Sequence, residues 1–299
     1  MHSEYNPCRL CPRDCGIDRT IRTGACRVGS ALQVSRASLH MWEEPCISGA
    51  TGSGTVFFSG CSLSCVYCQN QVISRGQVGK KINPERLVEI FFELEEQKAN
   101  NINLVTGDHY LPTIRKAIQR AKDQGLRIPF LLNTSSYIRV DTLKEMEGLI
   151  DLYLPDLKYI RPEDAARYSH APDYPEAAKA AIAEMVRQQP KCILSGDIMQ
   201  KGVVVRHMPL PGMIIQGKLI VKYLYETYGD RIYISLLRQY TPNERLLKDN
   251  YPEINRPLTE HEYKSLVDFV RDLGITNGFV QEGEAIGESF IPEFDCRGV

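Results

Sequence analysis

The sequence predicts an α/β fold, a partial (β/α)6-type TIM barrel that follows a small N-terminal cysteine-rich segment. Past residue 50, short apolar runs alternate with stretches that repeat apolar residues every three to four positions, as helices do. Runs such as NINLV, GVVVR and RIYIS are apolar with little alternation, which is typical of parallel strands covered on both faces. Parallel neighbours need long crossover connections, and the intervening helices supply them.

The predicted elements follow one another in a regular order. TVFFSG at 55–60 is a short β-rich run opened by the glycines of GATGSG, and the helix at 84–99 carries Pro84 in its first turn. Further strands are predicted at 101–107, 128–133, 150–159, 202–208 and 231–237, and further helices near 111–124, 140–148, 174–189, 212–228 and 259–272. In a barrel of this kind the chemistry lies at the carboxyl ends of the strands.

The composition excludes several classes of function. The 299 residues carry 36 Lys and Arg against 37 Asp and Glu, so no overall field recruits nucleic acid or an anionic membrane. Apolar runs are interrupted far short of the ~20 residues that cross a bilayer. The start of the chain, MHSEYNPCRLCPRDC, lacks the apolar stretch of a signal peptide. We therefore expect a cytoplasmic globular protein that binds neither nucleic acid nor membrane.

Ten cysteines in such a chain need an explanation, and seven of them fall into two tight groups near the N-terminus. In a reducing compartment, cysteines at ligand spacing are more often metal ligands than disulfide partners. The isolated Cys46, Cys192 and Cys296 are interpreted as small buried or incidental thiols. Each group defines one part of the chain, a cysteine-rich metal-binding segment at 1–50 and the barrel at 51–299.

The first group has the spacing C-x2-C-x3-C-x10-C and consists of Cys8, Cys11, Cys15 and Cys26. Four thiolates form a closed site, and two metals fit it. Structural zinc would give a segment with little core of its own the energy to fold. A second [4Fe–4S] cluster has the same ligand count and would pass electrons to another cluster. The spacing differs from the CxxC…CxxC of zinc ribbons and does not choose between the two.

The second group, Cys61, Cys65 and Cys68 in FFSGCSLSCVYCQN, offers three ligands. Three thiolates can hold a [4Fe–4S] cluster in which one iron has no protein ligand. That iron would be open to a small molecule, as a catalytic zinc keeps a position for water. Two alternatives remain: a zinc completed by a distant His109 or His207, and three unrelated buried thiols.

Polar residues follow the apolar run at every later strand end. They are Thr106-Gly107-Asp108-His109, Asn133-Thr134-Ser135, Asp156-Leu157-Lys158, Arg206-His207 and Arg238-Gln239-Tyr240. Because these ends meet at one mouth of a barrel, we expect a shared site there. Lys158 and Arg206 each follow an apolar strand run and are therefore interpreted as site residues rather than as surface ion-pair partners.

CSLSCVYC resembles the cluster loop of the radical S-adenosylmethionine (SAM) superfamily, including the aromatic residue before the last cysteine. The resemblance implies that the open iron chelates the amino and carboxylate groups of SAM. The reduced cluster then cleaves SAM to a 5′-deoxyadenosyl radical, which abstracts hydrogen from a substrate. DLYLPDLKY, VVVRHMPLPG and LLRQY resemble segments of the pyruvate formate-lyase activating enzyme group, in particular a branch with extra N-terminal cysteines.

The resemblance also assigns roles to individual residues. The three cysteines of the second group match the cluster ligands, and Tyr67 matches an aromatic residue near the adenine. Lys158 matches a lysine that pairs with the SAM carboxylate, and Arg206 lies in the matching strand. No residue is assigned to the hydrogen abstraction itself.

Three positions depart from the pattern of the group. Thr106-Gly107-Asp108 stands where a Gly-Gly-Glu-like turn receives the SAM amino group, with only the central glycine kept and Asp108 left as the acceptor. Asn133 falls where relatives have an aspartate near the amino acid end of SAM. Tyr240 stands where activating enzymes often have a histidine close to the adenosine.

The resemblance implies a radical SAM oxidoreductase with a low-potential electron donor of the flavodoxin or ferredoxin type. One form of the hypothesis is activation of a glycyl radical enzyme, and another is modification of a peptide or a small metabolite. A hypothesis of a different class is an iron–sulfur scaffold or electron-transfer protein that does not cleave SAM.

Overall fold

The computed structural model describes residues 4–242, 249–281 and 291–299. Its strands are β1 Gln33–His40, β2 Ser53–Phe58, β3 Lys80–Lys81, β4 Ile102–Val105, β5 Phe130–Thr134, β6 Leu152–Pro155, β7 Ile193–Ser195, β8 Ile198–His207, β9 Tyr233–Leu236 and β10 Gly278–Val280. Its helices are α1 Pro45–Ser48, α2 Gln71–Ser74, α3 Pro84–Glu96, α4 Leu111–Asp123, α5 Val140–Lys144, α6 Pro162–Ser169, α7 Tyr174–Gln188, α8 Ile214–Tyr228 and α9 Glu260–Asp272. Short 3-10 helices lie at Asp108–Tyr110, Gly229–Arg231 and Pro252–Ile254.

One mostly parallel sheet organises these elements. Its strand order is β10-β9-β8-β6-β5-β4-β2-β1-β3, and β7 pairs with β8 beside this path. All neighbours from β2 to β10 along the path are parallel, whereas β1 is antiparallel to β2 and β3. Within the described ranges β3 and β10 end the order without pairing to each other, so the barrel is open. The predicted partial TIM barrel is confirmed.

The sheet is covered as the apolar runs predict. Every residue of β2, β4, β5 and β6 is buried. Helices α3, α4 and α7 bury one apolar face each, and Phe91 of α3 packs edge-on against Phe130 of β5 with ring centroids 5.1 Å apart. A contiguous core therefore fixes the strand ends that carry the polar residues.

Local sequence explains where the helices begin. Asn83 accepts a hydrogen bond from the Arg86 amide at 2.8 Å and Pro84 occupies the first turn of α3. At α9, Thr259 and Glu262 form a capping box. Each cap satisfies backbone amides that have no partner inside the helix.

Seven strands and helices were not predicted from the sequence: β1, α1, α2, β3, α6, β7 and β10. The helix predicted near 140–148 is shorter than expected, because α5 ends at Lys144 and the chain turns through Gly148 at φ +78°. The antiparallel strand β1 lies inside the segment predicted as 1–50 yet is hydrogen-bonded into the sheet. The division of the chain at residue 50 stays a prediction. Among the described helices, none has the length and hydropathy needed to cross a membrane.

Candidate active site

A cavity of about 220 Å³ opens at the carboxyl ends of the parallel strands. One wall is the loop 61–68, called the cluster loop below, and the opposite wall is formed by residues that follow β5, β6 and β8. The cavity brings together eight of the predicted site residues, namely Cys61, Cys65, Cys68, Tyr67, Thr106, Asn133, Lys158 and Arg206. These eight residues therefore line one cavity, as expected for polar residues at the carboxyl ends of neighbouring strands.

The cluster loop is a tight turn that needs special backbone conformations. Gly60 enters it at φ +91°, and a Cβ there would lie 2.7 Å from the carbonyl oxygen of Cys26. Inside the loop, Ser64 adopts φ +54° and donates its hydroxyl to the Cys61 carbonyl at 3.0 Å. The Cys68 amide donates to the Cys65 carbonyl at 3.2 Å. These bonds hold the three thiols on the cavity side of the loop.

The three thiols of the cluster loop fit a cluster with one open iron. Burial, together with the neighbouring Cys65 and Cys68, raises the pKa of the Cys61 thiol to about 12. Burial also raises the pKa of Cys68. Such thiols become thiolates only when a cation supplies the opposing charge, and iron does so. Cys65 Sγ in addition accepts a hydrogen bond from the Ser169 hydroxyl at 3.1 Å.

The geometry is less suited to a single metal ion. No three His, Cys, Asp or Glu side chains in the described part of the chain are positioned to hold one. His109 and His207 are buried and bound to the carbonyls of Ser59 and Leu157, at 2.9 and 2.8 Å. Burial lowers their pKa values to about 3 and about 4. Neither His109 nor His207 lines the cavity that holds the three thiols, and a zinc completed by either histidine stays an untested alternative.

A charged network faces the thiols across the cavity, with Arg206 at its centre. The Arg206 guanidinium donates through Nε to Asp156, through Nη1 to Glu43 and through Nη2 to Asn133, at 2.8–2.9 Å. Asn133 in turn donates to Glu43 at 3.0 Å. Each of the three guanidinium nitrogens donates to a different acceptor, so the orientation of this planar group is fixed.

Lys158 completes the network, with Nζ 2.6 Å from Asp156 Oδ2. Burial opposes ionisation of Asp156, but the adjacent Arg206 and Lys158 cations outweigh it and lower its pKa. For Lys158, burial would lower the pKa, and the Asp156 carboxylate outweighs it and raises the pKa. Both groups are therefore ionised near neutral pH. The side chain of Lys158 is 21% exposed and lines the cavity.

An aromatic cluster backs the cluster loop. Tyr67 lines the cavity and accepts a hydrogen bond from the Tyr159 hydroxyl at 2.9 Å. Tyr240 packs edge-on against Tyr67, with ring centroids 6.1 Å apart, and its hydroxyl donates to the Ile254 carbonyl at 2.6 Å. Tyr240 thus supports Tyr67 from behind and is not on the cavity wall.

The predicted turn Thr106-Gly107-Asp108 is divided between the cavity and the core. Thr106 lines the cavity at φ +57°, and its amide donates to the Asn133 carbonyl at 2.9 Å. Gly107 packs inward, since a Cβ there would lie 2.8 Å from Ile114. Asp108 accepts a hydrogen bond from the Thr134 hydroxyl at 2.9 Å, and burial raises its pKa to about 7. Neither Gly107 nor Asp108 lies on the cavity wall.

The N-terminal segment, residues 4–32, is docked against the cluster loop. The Cys61 amide donates to the Cys26 carbonyl at 3.2 Å. The Arg13 guanidinium donates to four backbone carbonyls, two in the cluster loop and two at the end of α6, which are those of Ser62, Leu63, Ser169 and His170. The first and second cysteine groups are therefore adjacent in the fold.

The thiols of Cys8, Cys15 and Cys26 lie close enough to Cys11 to act on it electrostatically. Burial, followed by the neighbouring Cys26, Cys15 and Cys8, raises the pKa of the Cys11 thiol to about 12. A Cβ on Gly24 would lie 3.4 Å from Cys26 Sγ and 3.6 Å from Cys15 Sγ, so that glycine lies directly against two of the thiols. The buried Arg19 approaches Cys8 Sγ to 3.8 Å.

Two site residues were missed by the sequence analysis. Glu43 lies in the turn between β1 and α1 and contacts Arg206, Asn133 and Asn103. Asp156 belonged to a predicted strand end but was not assigned a role. The one local indication was WEEP, in which two acidic residues directly precede a helix-starting proline.

Comparisons with known proteins find similarity in both sequence and fold. The family model for the radical SAM superfamily matches residues 55–207, just over half of the chain. The uncharacterized protein MJ0674 of Methanocaldococcus jannaschii is 26% identical over 272 residues, which cover 88% of this chain and 74% of that protein.

Two solved structures share the fold at low identity. The FeFe-hydrogenase maturase HydG from Carboxydothermus hydrogenoformans has a TM-score of 0.52 and 14% identity, covering 77% of this chain and 54% of that one. Streptococcus suis SuiB has a TM-score of 0.51 and 13% identity, covering 79% of this chain and 50% of that one. The chain spans about half the length of each.

Proposed function

This chain belongs to the radical SAM superfamily, and on that premise we propose that it binds SAM in the cavity lined by Cys61, Cys65 and Cys68, called the first cavity below. The radical formed there would abstract hydrogen from an organic substrate. The observation that carries the proposal is the placement of three thiols opposite Lys158 and Arg206 across one cavity. A bound, reduced cluster would supply the electron that cleaves SAM to a 5′-deoxyadenosyl radical.

The residues of the chain position SAM. Lys158 and Arg206 are the fixed cations on the wall that faces the thiols, and a carboxylate is the group they would hold. Tyr67 presents a ring edge for the adenine, and Tyr159, Tyr168 and Tyr240 surround that ring. Thr106 and Asn133 offer polar groups to the amino acid end of SAM.

The substrate subtype rests on the resemblance alone. Segments such as DLYLPDLKY and LLRQY support activation of a glycyl radical enzyme as the first candidate. That activity predicts a glycyl radical signal by electron paramagnetic resonance when this protein, SAM and the partner enzyme are mixed under reducing conditions. Modification of a peptide or a small metabolite predicts 5′-deoxyadenosine without such a signal.

A second metal at Cys8, Cys11, Cys15 and Cys26 belongs to the same proposal. The Cys26 carbonyl accepts a hydrogen bond from the Cys61 amide, so the two cysteine groups are adjacent. This adjacency supports either of two roles for the N-terminal metal, delivery of electrons to the cluster loop or structural support of it. A second [4Fe–4S] cluster would receive electrons from a flavodoxin or ferredoxin, whereas zinc would only stabilise the segment.

The proposal is tested by replacing each cluster-loop cysteine with alanine in anaerobically reconstituted protein. We expect Cys61→Ala, Cys65→Ala and Cys68→Ala to abolish formation of 5′-deoxyadenosine and to lower the iron content by about four per chain. Cys192→Ala is the matched control, because that thiol follows α7 and is absent from the cavity wall. Full cleavage by any one of the three variants would refute the ligand assignment. A wild-type protein that makes no 5′-deoxyadenosine would favour the scaffold hypothesis.

A further inference from the structure

A second cavity, of about 280 Å³, adjoins the first at the carboxyl ends of β8, β9 and β10. The two cavities share five wall residues, which are Trp42, Glu43, Arg206, Leu237 and Gln239. The second cavity is separately bounded by Glu44, Ser235 and Phe279. A molecule in it would lie next to the contents of the first cavity. This is where a substrate must lie if a radical formed in the first cavity is to reach it.

Glu44 is the unusual group in this wall. The residue is only 7% exposed, and one carboxylate oxygen accepts a hydrogen bond from the Ser235 hydroxyl at 2.8 Å. Its other carboxylate oxygen has no hydrogen bond, and the group has no ion pair, within residues 4–242, 249–281 and 291–299. The adjacent Glu43, by contrast, is bonded by Arg206, Asn103 and Asn133. Both oxygens of Glu43 accept hydrogen bonds from protein groups, whereas Glu44 leaves one oxygen available in the second cavity.

The nearby cation does not compensate for this. The three guanidinium nitrogens of Arg206 donate one hydrogen bond each, to Asp156, Glu43 and Asn133, and none of these bonds goes to Glu44. Burial raises the pKa of Glu44 to about 7, against the lowering effect of Arg206. A buried carboxylate without a cation is costly, and a cationic ligand would remove that cost.

We propose that the second cavity binds a cationic nitrogen of the substrate, an ammonium or a guanidinium, against Glu44. The inference rests on the proposed function in one respect: binding of the cation at Glu44 would hold a neighbouring carbon of the substrate at the first cavity. Trp42 is 63% exposed and stands at the junction of the two cavities. Its ring, with that of Phe279, offers an aromatic face of the kind that attracts cations. The same chemistry is found in a lysine or arginine side chain of a peptide and in a free amine.

Trp42 provides a direct assay, because it is the only tryptophan of the chain. Reconstituted protein is titrated with n-butylamine, N-butylguanidine and, as the uncharged control, 1-butanol, and Trp42 fluorescence is followed. We expect saturable binding of the two cations at least tenfold tighter than that of the alcohol. In Glu44→Gln, which keeps the shape and loses the charge, cation affinity should fall roughly 10- to 150-fold, the range for a lost charge-assisted hydrogen bond. Equal binding of amine and alcohol, or unchanged affinity in Glu44→Gln, would overturn the proposal.

The unsubstituted protein gives a second test that does not depend on the folding of a variant. Amine affinity should fall about tenfold per pH unit below pH 7, as Glu44 becomes protonated. The other groups facing Glu44 are Arg206, Glu43, Asp156 and the Cys46 thiol. Asp156 stays ionised because its pKa is lowered, and Cys46 stays neutral because burial raises its pKa to about 12. Affinity that does not change between pH 5.5 and 8 would contradict the assignment.

The source of the cation is distinguished by the ligand series. Tighter binding of a short lysine or arginine peptide than of butylamine would assign the site to a peptide substrate, and equal binding would assign it to a small amine. The fluorescence titration requires no SAM cleavage. Failure of the cysteine variants to abolish cleavage would therefore refute the proposed function without touching this result, and the reverse also holds.

Discussion

Replacement of Lys158 by methionine tests the contact between the protein and the SAM carboxylate. Methionine keeps most of the length of the side chain and removes its charge. If Lys158 donates to the carboxylate, the variant loses a charge-assisted hydrogen bond of about 1.5–3 kcal/mol. That corresponds to a roughly 10- to 150-fold higher Kd for SAM.

The structure indicates which end of this range to expect. Without ligand, Lys158 Nζ is already bonded to Asp156 at 2.6 Å, so SAM binding exchanges one carboxylate for another. Asp156 keeps its 2.9 Å bond from Arg206 Nε after the exchange, which limits the cost of releasing Lys158. We therefore expect the lower end, about 1.5 kcal/mol or slightly more than a tenfold weaker affinity.

The same exchange predicts the opposite effect for the partner of Lys158. Asp156→Asn removes an anion that faces the incoming carboxylate and frees Lys158, so SAM should bind more tightly. A pair of changes with opposite signs is hard to obtain from general damage to the fold.

Affinity is measured by equilibrium dialysis of SAM against the anaerobically reconstituted protein, with the visible absorption of the cluster recorded for each variant. The absorption should stay intact because Lys158 is not a ligand. Lys264→Met is the matched control, since Lys264 is exposed and pairs with Asp268 on α9. Unchanged SAM affinity in Lys158→Met, or an equal loss in Lys264→Met, would refute the reasoning.

Two further predictions concern Asp108 and the N-terminal cysteines. Burial raises the pKa of Asp108 from 3.8 to about 7, so its ionisation destabilises the fold and a contribution of roughly 4 kcal/mol is lost as pH rises from about 4 through 7. Asp108→Asn should flatten that part of the pH dependence in urea unfolding followed by circular dichroism; a slope equal to that of the wild type would contradict it. Metal analysis should give either about one zinc beside four irons or about eight irons, and Cys11→Ala should lose the N-terminal metal. An active protein with neither of these metal contents would contradict both the zinc and the second-cluster hypotheses for the N-terminal cysteines.

The parallel part of the fold could be predicted because its strands are buried on both faces. Their runs are therefore mostly apolar, as in Leu104-Val105 of NINLV and the three consecutive valines of GVVVR. Strand β1, QVSRASLH, carries polar and apolar residues together, and its place in the sheet depends on pairing with β2 rather than on its own pattern. Strand β10 is three residues long, which is too short for a periodic pattern.

The site divides in the same way between local and long-range information. The cysteine spacing of the cluster loop is local, so the sequence alone could predict a site there. The contact between Glu43 and Arg206 joins residues 163 positions apart, and no local sequence pattern predicts it. Asp108 and Tyr240 follow apolar runs as Lys158 does, yet their side chains are turned into the core. A position at a strand end does not by itself fix the direction of a side chain.

The attachment of the N-terminal segment limits how the Cys11→Ala experiment can be interpreted. Arg13 lies two residues from Cys11 and holds carbonyls of the cluster loop and of α6. Loss of the N-terminal metal would release Arg13 and so distort the loop that carries Cys61, even if no electron passes between the sites. Lost turnover alone therefore does not separate a relay from a structural brace. A relay requires that the remaining cluster keep its spectrum and that dithionite restore cleavage, whereas a brace requires that the spectrum change and that dithionite fail.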